Sequence, residues 1–360
     1  MSRVYNFSAG PDALPEPVLD RIRNEIPDWK DSGMSVLEVS HRGADFVETA
    51  AKAEADLRRL LGVSDDYSVL FLQGGATLQF AMTVRNLAQD SDTVDYVVTG
   101  SWGKKAIKEG ARFCNANAAA DAEESRYTTI PDESSWRRSD DAAFLHYTPN
   151  ETIGGVEFHF VPETGDVPLV ADMSSTILSR PVDVDRFGVI YAGAQKNIGP
   201  AGVTLVIVRK DLLDRVRPSV PTMLTYKTFA DSDSMSNTPS VFAWYAAGLV
   251  FEYLLEQGGL SAVGATNEAK ASKLYSAIDG SDFYSNPVAP HCRSWMNVPF
   301  VLANPDLDKL FLEQALAAGM ANLKGHRSVG GMRASIYNAV SPEAVDALID
   351  FMAQFEKTHG

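Results

Sequence analysis

The segment Tyr191-Ala-Gly-Ala-Gln-Lys-Asn-Ile-Gly-Pro-Ala-Gly202 sets one lysine in a glycine-rich loop between two apolar runs. The runs, residues 187–191 and 203–208, predict buried strands on either side of the loop. A lysine that is held at a strand end and shielded from water has its charged form disfavoured and can act as an amine nucleophile. Lys196 is therefore a candidate catalytic residue, and a solvated loop lysine is the alternative interpretation.

The composition restricts the class of protein and its partners. The chain has 360 residues, 45% of them hydrophobic, which is enough to bury a large core and by length suggests two or more domains. Its formal net charge is -15 at pH 7, so its surface would not attract nucleic acid or an anionic membrane. We expect small-molecule substrates, and an anionic substrate would need a local cluster of basic residues.

The cysteines and the N-terminal residues indicate the cellular location. Cys114 and Cys292 are too few for a disulfide framework and lack the C-x-x-C spacing of zinc or redox sites, so no metal is predicted. Residues 1–8 lack the apolar core of a signal peptide, and no run of about eighteen apolar residues occurs. We expect reduced thiols and a cytoplasmic protein.

Residues 16–260 alternate helical patterns with short apolar runs. This alternation predicts an α/β domain with a mostly parallel sheet and helices on both of its faces. The strand candidates are residues 67–72, 95–98, 143–146, 168–171, 189–192 and 203–208. A long apolar helix over 239–257, with Thr238 as its N-cap and Pro239 at its first position, closes this large domain.

The remaining residues, 1–15 and 261–360, predict a smaller α+β domain. Its expected helices cover 261–279, 307–318 and 342–357, and its expected strands cover 296–301 and 332–337.

Two further positions follow predicted strands of the large domain. Asp172 falls at the carboxyl end of an apolar strand, where open α/β sheets place ligand-binding residues. A buried carboxylate there needs a cationic or strong donor partner, such as a protonated pyridine nitrogen, although a turn aspartate bonding its own backbone is the alternative. Gly74-Gly-Ala-Thr77 opens a helix whose free N–H groups suit a single phosphate, and it matches neither the dinucleotide nor the ATPase motif.

Aromatic and basic residues supply the other candidate contacts. Trp102 follows a predicted strand and could stack on a flat heteroaromatic ring, or be a core tryptophan. Basic residues gather in His41-Arg42 and in Lys324-Gly-His-Arg-Ser-Val-Gly-Gly-Met-Arg333. In an acidic chain these segments are natural anion sites, since the planar guanidinium suits carboxylate and phosphate, although ordinary surface ion pairs are the alternative.

Taken together, these features resemble the fold-type I pyridoxal-phosphate aminotransferases. The resemblance narrows to the phosphoserine aminotransferase family through motifs that run from the first residues to the last predicted domain. These motifs are Asn6-Phe-Ser-Ala-Gly-Pro11, Glu38-Val-Ser-His-Arg-Gly43, His146-Tyr-Thr-Pro-Asn-Glu-Thr152, Ala194-Gln-Lys-Asn-Ile-Gly-Pro-Ala-Gly202, Ser236-Asn-Thr-Pro239 and Gly325-His-Arg-Ser-Val-Gly-Gly-Met-Arg-Ala-Ser335.

The resemblance implies a pyridoxal 5'-phosphate cofactor in Schiff-base linkage to Lys196. Asp172 would pair with the pyridine nitrogen, Trp102 would stack on the ring, and Thr152 would bond the phenolic oxygen. The implied phosphate contacts are Ala76, Thr77 and Gln195, joined by Asn237 and Thr238 from the neighbouring subunit of a homodimer with shared active sites. The implied substrate contacts are Arg333 for the α-carboxylate, with His41, Arg42, His326 and Arg327 around the substrate phosphate or the side-chain carboxylate of glutamate.

The implied reaction is a ping-pong transamination with Lys196 and Asp172 as catalytic residues. It would transfer the amino group of L-glutamate to 3-phosphohydroxypyruvate in serine biosynthesis, and use of the related 3-hydroxy-2-oxo-4-phosphooxybutanoate in vitamin B6 biosynthesis stays open. The alternatives are another enzyme of the same fold, such as an alanine-glyoxylate-type aminotransferase or a cysteine desulfurase-like lyase, and a phosphate-ligand-binding protein without catalysis.

Overall fold

A computed structural model describes residues 3–360 of the chain. The α-helices in this range are α1 (Glu16–Glu25), α2 (Ala44–Leu61), α3 (Gly75–Leu87), α4 (Ser101–Gly110), α5 (Tyr226–Ala230), α6 (Val241–Glu256), α7 (Gly259–Asp279), α8 (Asp308–Ala317) and α9 (Pro342–His359). The strands are β1 (Tyr5–Asn6), β2 (Tyr67–Leu72), β3 (Thr93–Val98), β4 (Asn115–Asp121), β5 (Leu145–Tyr147), β6 (Asn150–Glu151), β7 (Val156–Glu157), β8 (Leu169–Asp172), β9 (Val189–Gly193), β10 (Thr204–Arg209), β11 (Tyr284–Ser285), β12 (Asn297–Leu302), β13 (Met320–Ala321) and β14 (Met332–Ser335).

The main sheet is seven-stranded, in the order β2-β10-β9-β8-β5-β3-β4. The strands β9, β8, β5, β3 and β4 pair in parallel, whereas β10 pairs antiparallel with both β9 and β2. The central strands are buried along nearly their whole length because helices cover both faces of a parallel sheet. This confirms the predicted fold class.

Each face of the sheet has its own apolar core. On one face, α2 and α6 pack with the inward side chains of the strands, and the rings of Phe71 and Trp244 stack with centroids 4.3 Å apart. Gly248 lets α6 approach α2, since a Cβ at that position would lie 3.0 Å from the Cβ of Ala53. On the other face, α3 and α4 bury Phe80 and neighbouring side chains against the sheet. Burial on both sides holds the strand ends in place.

A second, antiparallel sheet has the order β11-β12-β14 and its own core. Phe300, Phe311 and Leu348 are fully buried in this core, and Phe7 joins it because β1 pairs with β13. The predicted boundary at residue 260 lies inside α7, whose first turns contact the main core and whose later turns contact the second. The domain division therefore stays a prediction.

Several elements differ from the sequence prediction, including the short strands β1, β6, β7, β11 and β13, which were not predicted. Helix α6 begins at Val241, after Ser240, and not at Pro239, because the Val241 amide donates to the Pro239 carbonyl oxygen in a tight turn at 2.9 Å. The edge strand β4 was not predicted, since its alanine and asparagine residues have low β propensity. None of the helices in residues 3–360 combines the length and apolarity needed to span a membrane.

Candidate active site

The candidate site is a cavity of about 240 Å³ at the carboxyl edge of the main sheet. Asp172 ends β8 in register with Tyr191 of β9, so Asp172 and the loop that follows β9 leave the sheet at the same edge. The cavity is lined by residues of five segments: Gly74–Thr77, Trp102, Thr148–Thr152, Asp172–Ser175 and Gly193–Val203. Seven of the predicted site residues line it, namely Ala76, Thr77, Trp102, Thr152, Asp172, Gln195 and Lys196.

Lys196 lies in the wall of this cavity and is only 7% exposed. Its Nζ donates a hydrogen bond to Oγ1 of Thr152 at 2.7 Å. Burial lowers the pKa of Lys196 from 10.5 to about 8, an effect that the Asp172 charge opposes and the Arg333 charge reinforces. A substantial fraction of this amine is therefore neutral near physiological pH, as a nucleophile requires.

Asp172 supplies a buried negative charge to the same cavity. Its side chain is 4% exposed, and its Oδ1 accepts from the amide of Ser174 at 3.0 Å and from the Ser174 hydroxyl at 2.5 Å. Burial raises the pKa of Asp172, and the bonds from Ser174 and the charge of Lys196 oppose that rise. No hydrogen bond from residues 3–360 reaches its Oδ2, so this oxygen is available to a donor in the cavity.

The start of α3 also lines the cavity and has free backbone donors. Gly74 and Gly75 adopt positive φ values of 95° and 69°, and no side chain caps the helix. A Cβ at Gly193 would lie 3.2 Å from the Ala76 nitrogen, so glycine keeps this helix end close to β9. The first-turn N–H groups at Ala76 and Thr77 suit a phosphate at the positive end of the helix dipole.

Trp102 lies in the first turn of α4 and contributes its ring to the cavity wall. Its indole Nε1 is buried without a hydrogen-bond partner in the described chain. The Nζ of Lys105 lies 4.0 Å from the centroid of the Trp102 ring. The carboxylate of Glu151 accepts from the main-chain amide of Trp102.

Three of the five predicted substrate contacts, Arg333, His326 and Arg327, lie beside the cavity. Arg333 borders the cavity, since its Nη1 donates to the carbonyl oxygen of Thr152 at 3.2 Å. His326 and Arg327 lie in the loop before β14, where burial and the charges of Arg333, Arg327 and Lys105 lower the pKa of His326. The lowered pKa leaves the imidazole of His326 mostly neutral at pH 7, so Arg327, Arg333 and Lys105 supply the positive charge of a basic patch beside the cavity, as an anionic substrate requires.

Four predicted contacts lie away from the cavity of this single chain. His41 is 9% exposed, with its Nε2 lacking a partner among residues 3–360, and Arg42 is exposed just before α2. Asn237 is half-buried, while Thr238 is exposed and its carbonyl oxygen accepts from the Gln73 side chain at 2.7 Å. The assignment of these residues to a shared dimeric site stays a prediction.

The residues around the cavity fit pyridoxal phosphate on their own geometry. A buried aspartate with an unbonded oxygen suits a pyridinium N–H, and an uncapped helix start suits a phosphate. A lysine of lowered pKa lines the same cavity, in contact with a hydroxyl group, and Trp102 belongs to the cavity lining. The group would therefore be held by Asp172, Lys196 and Trp102, with the amides of Ala76 and Thr77 on its phosphate.

Comparison with known proteins agrees with this geometry. The model of the family "Aminotransferase class-V" matches residues 4–348, and the chain belongs to this family of pyridoxal-phosphate-dependent transaminases. Its relatives include the phosphoserine aminotransferase of Pseudomonas aeruginosa, which is 60% identical over 358 residues, or 99% of each chain. The resemblance to phosphoserine aminotransferases is thereby confirmed.

Solved structures of other phosphoserine aminotransferases superpose closely on this chain. The phosphoserine aminotransferase from Bacillus circulans subsp. alkalophilus is 48% identical, with a TM-score of 0.98 and 99% coverage of both chains. A phosphoserine aminotransferase from Trichomonas vaginalis, solved with pyridoxal phosphate bound, is 42% identical with a TM-score of 0.93, covering 98% of this chain and 100% of its own.

Sequence reasoning gave no role to several residues of this site. Glu151 lies within a quoted motif but has no function assigned from it, and Ser174 and Lys105 were not considered. The spacing Asp172-Met-Ser174 is the one local signal, because a serine two residues after an aspartate can bond its side chain. The contacts of Glu151 and Lys105 arise from packing between separate elements, which no local pattern reports.

Proposed function

We propose that this protein is a phosphoserine aminotransferase that transfers the amino group of L-glutamate to 3-phosphohydroxypyruvate, yielding O-phospho-L-serine and 2-oxoglutarate. The alignment with relatives that are named phosphoserine aminotransferase covers nearly the whole chain. The observation that carries the proposal is the juxtaposition, at one cavity, of a buried lysine, a buried aspartate and the basic patch that includes Arg333. A phosphorylated keto acid and glutamate are both multiply anionic, so a chain with a net charge of -15 needs such a patch to hold them.

Pyridoxal phosphate, held by Lys196, Asp172 and the amides of Ala76 and Thr77, would supply a sink for the electrons released at the substrate Cα. The chain's own residues do the rest. Lys196, with its pKa lowered to about 8, would provide the amine for cofactor attachment and, once released, would carry a proton between the substrate Cα and the aldehyde carbon of the cofactor. The hydroxyl oxygen of Thr152 accepts a hydrogen bond from the Nζ of Lys196 at 2.7 Å and so orients this amine.

Asp172 and Arg333 act as fixed charges in this scheme. The carboxylate of Asp172, oriented by Ser174, would keep the pyridine nitrogen of the cofactor protonated, because a buried anion stabilises a neighbouring cation. The guanidinium of Arg333 orients the α-carboxylate of either substrate, and its contact with the Thr152 carbonyl oxygen fixes it at the rim of the cavity.

We extend the proposal to a cytoplasmic homodimer that also accepts the phosphorylated keto acid of vitamin B6 biosynthesis. Support for a shared site comes from the positions of Thr238 and Arg42, which are exposed in the single chain and lie outside its cavity. In a dimer, such residues are free to complete the cavity of the partner subunit.

Amino-donor preference and lysine labelling test the proposal together. Purified holoenzyme should form O-phosphoserine from 3-phosphohydroxypyruvate with glutamate and only poorly with alanine. Borohydride reduction should leave the cofactor attached to the peptide that contains Lys196. Lys196→Ala should lose this attachment and about 10²–10⁴-fold in turnover, whereas Lys104→Ala, an exposed control, should behave as wild type. Equal use of alanine, or full turnover by Lys196→Ala, would refute the assignment.

A further inference from the structure

Glu151 is a fully buried carboxylate beneath the first turn of α4, with 0% exposure. Its Oε1 accepts from the amide of Gly103 at 2.8 Å, and the amide of Trp102 lies 3.1 Å from Oε1 and 3.0 Å from Oε2. These amides belong to the start of the helix, where the N-cap residue Gly100 has no side chain to accept from them and the helix dipole presents positive charge. Glu151 therefore caps α4 from a different segment of the chain.

The backbone around this contact leaves room for the carboxylate and for little else. A Cβ at Gly100 would lie 2.4 Å from Cδ of Glu151, and a Cβ at Gly103 would lie 3.5 Å from its Oε1. Glycine at position 100 thus allows the carboxyl group to reach both amides. The close approach ties β6 to the helix that carries Trp102.

Burying this carboxylate costs solvation free energy unless its hydrogen bonds offset that cost. The contact with the two amides is therefore strongly directional. The pKa of Glu151 is raised from 4.5 to about 7, because desolvation, the largest effect, outweighs the lowering by the bonds from the Gly103 and Trp102 amides. The negative charge of Asp172 also raises the pKa of Glu151 and the positive charge of Lys196 lowers it, so Glu151 lies within the electrostatic field of the cavity.

We propose that Glu151 is a positioning residue that fixes Trp102 in the cavity wall by holding the first turn of α4. The side chain bonds the main chain of Trp102 itself, so movement of the carboxylate would move the indole that the cofactor ring contacts. The inference rests on the proposed cofactor site for its effect on binding, but the contact itself exists without the cofactor.

The chain offers a matched control in Glu157. This glutamate lies on β7, the strand paired with β6, and is also 0% exposed. It likewise accepts from the main-chain amide of a tryptophan, Trp295, at 2.7 Å. Glu157 also forms an ion pair with Arg180, whose Nη2 lies 2.6 Å from Oε1, so Glu157→Gln perturbs both a buried hydrogen bond to an amide and an ion pair. Trp295 does not line the cavity, so these losses fall outside the site.

The first measurement is hydrogen exchange on the cofactor-free protein. In Glu151→Gln, an amide replaces the Oε2 acceptor and the charge is lost, so the amides of Trp102 and Gly103 should exchange about tenfold faster, or about 1.4 kcal/mol. Glu157→Gln should accelerate exchange near Trp295 and leave residues 102 and 103 unchanged. Unaltered exchange at Trp102 and Gly103 in Glu151→Gln would overturn the proposal.

The second measurement uses pyridoxal phosphate. Glu151→Gln should bind it about tenfold more weakly and lose much of the visible circular dichroism of the bound cofactor, while Glu157→Gln should keep both. Should Glu151→Gln fail to fold, Gly100→Ala, which presses on the carboxyl group of Glu151, should show the same loss. If Glu151→Gln and Glu157→Gln weakened cofactor binding and the circular dichroism equally, Glu151 would have only a structural role and the proposal would be refuted. Failure of wild type to bind the cofactor would refute the proposed function instead, with the exchange result unaffected.

Discussion

Substitution of Asp172 should make Lys196 a better nucleophile while destroying the cofactor site. Burial holds the pKa of Lys196 at about 8 instead of 10.5, and the charge of Asp172 is the largest effect in the opposite direction. An amine of pKa about 8 is roughly one-tenth neutral at pH 7, against roughly three parts in ten thousand at pKa 10.5, a difference of about 300-fold. Asp172→Asn removes the stabilising anion, so the pKa of Lys196 should fall further and the neutral fraction should rise.

Arg333→Gln is the opposite perturbation. The guanidinium lowers the pKa of Lys196, so its removal should raise that pKa and decrease the neutral fraction at pH 7. The two substitutions are therefore expected to shift the pKa of Lys196 in opposite directions.

Competitive labelling with acetic anhydride measures this quantity on the cofactor-free protein. Mass spectrometry of the peptide that contains Lys196, against an added amine of known pKa, reports the neutral fraction at each pH. The labelling of wild type should level off just above pH 8, that of Asp172→Asn at a lower pH and that of Arg333→Gln at a higher one. A wild-type profile that still rises tenfold per pH unit at pH 9 would contradict the burial argument, and shifts of the same sign in both variants would contradict the charge assignments.

Three stability predictions follow from contacts remote from the site, each measured by thermal or denaturant unfolding. Leu348→Ala, in the core of the second sheet at 0% exposure, should cost about 3 kcal/mol, and a cost below about 1 kcal/mol would mean that this core is loosely packed. Ser341→Ala should cost about 1 kcal/mol, because the Ser341 side chain caps α9 at the amide of Ala344; Ser341→Asp should retain the stability. Lys270→Met should cost about 3 kcal/mol, since the buried Nζ donates to three main-chain carbonyl oxygens that would lose their partner. An unchanged midpoint for Lys270→Met would show that water replaces the ammonium there.

Much of the fold could be predicted from local patterns. The apolar run at 67–72 matches β2, and the glycine pair at residues 74 and 75 marks the start of α3. Strand β4 could not be found this way, because its alanine and asparagine residues have low β propensity. The start of α6 was predicted too early, since the bond between Val241 and Pro239 forms a turn that the sequence pattern does not distinguish from a helix start.

Some features of the site could likewise be predicted from local sequence, whereas others depend on packing between distant segments. Lys196 and Asp172 each follow an apolar strand, so the sequence alone placed both at the carboxyl edge of a parallel sheet, together with a phosphate-binding helix start. Only the tertiary structure decided that the Nζ of Lys196 meets Thr152, that Arg333 reaches the same residue from another sheet, and that Glu151 caps α4 beneath Trp102. The physical reason is range: strand and helix patterns depend on neighbours a few residues apart, whereas burial, the lowered pKa of Lys196 and the bonds of Glu151 arise when distant segments pack together and exclude water.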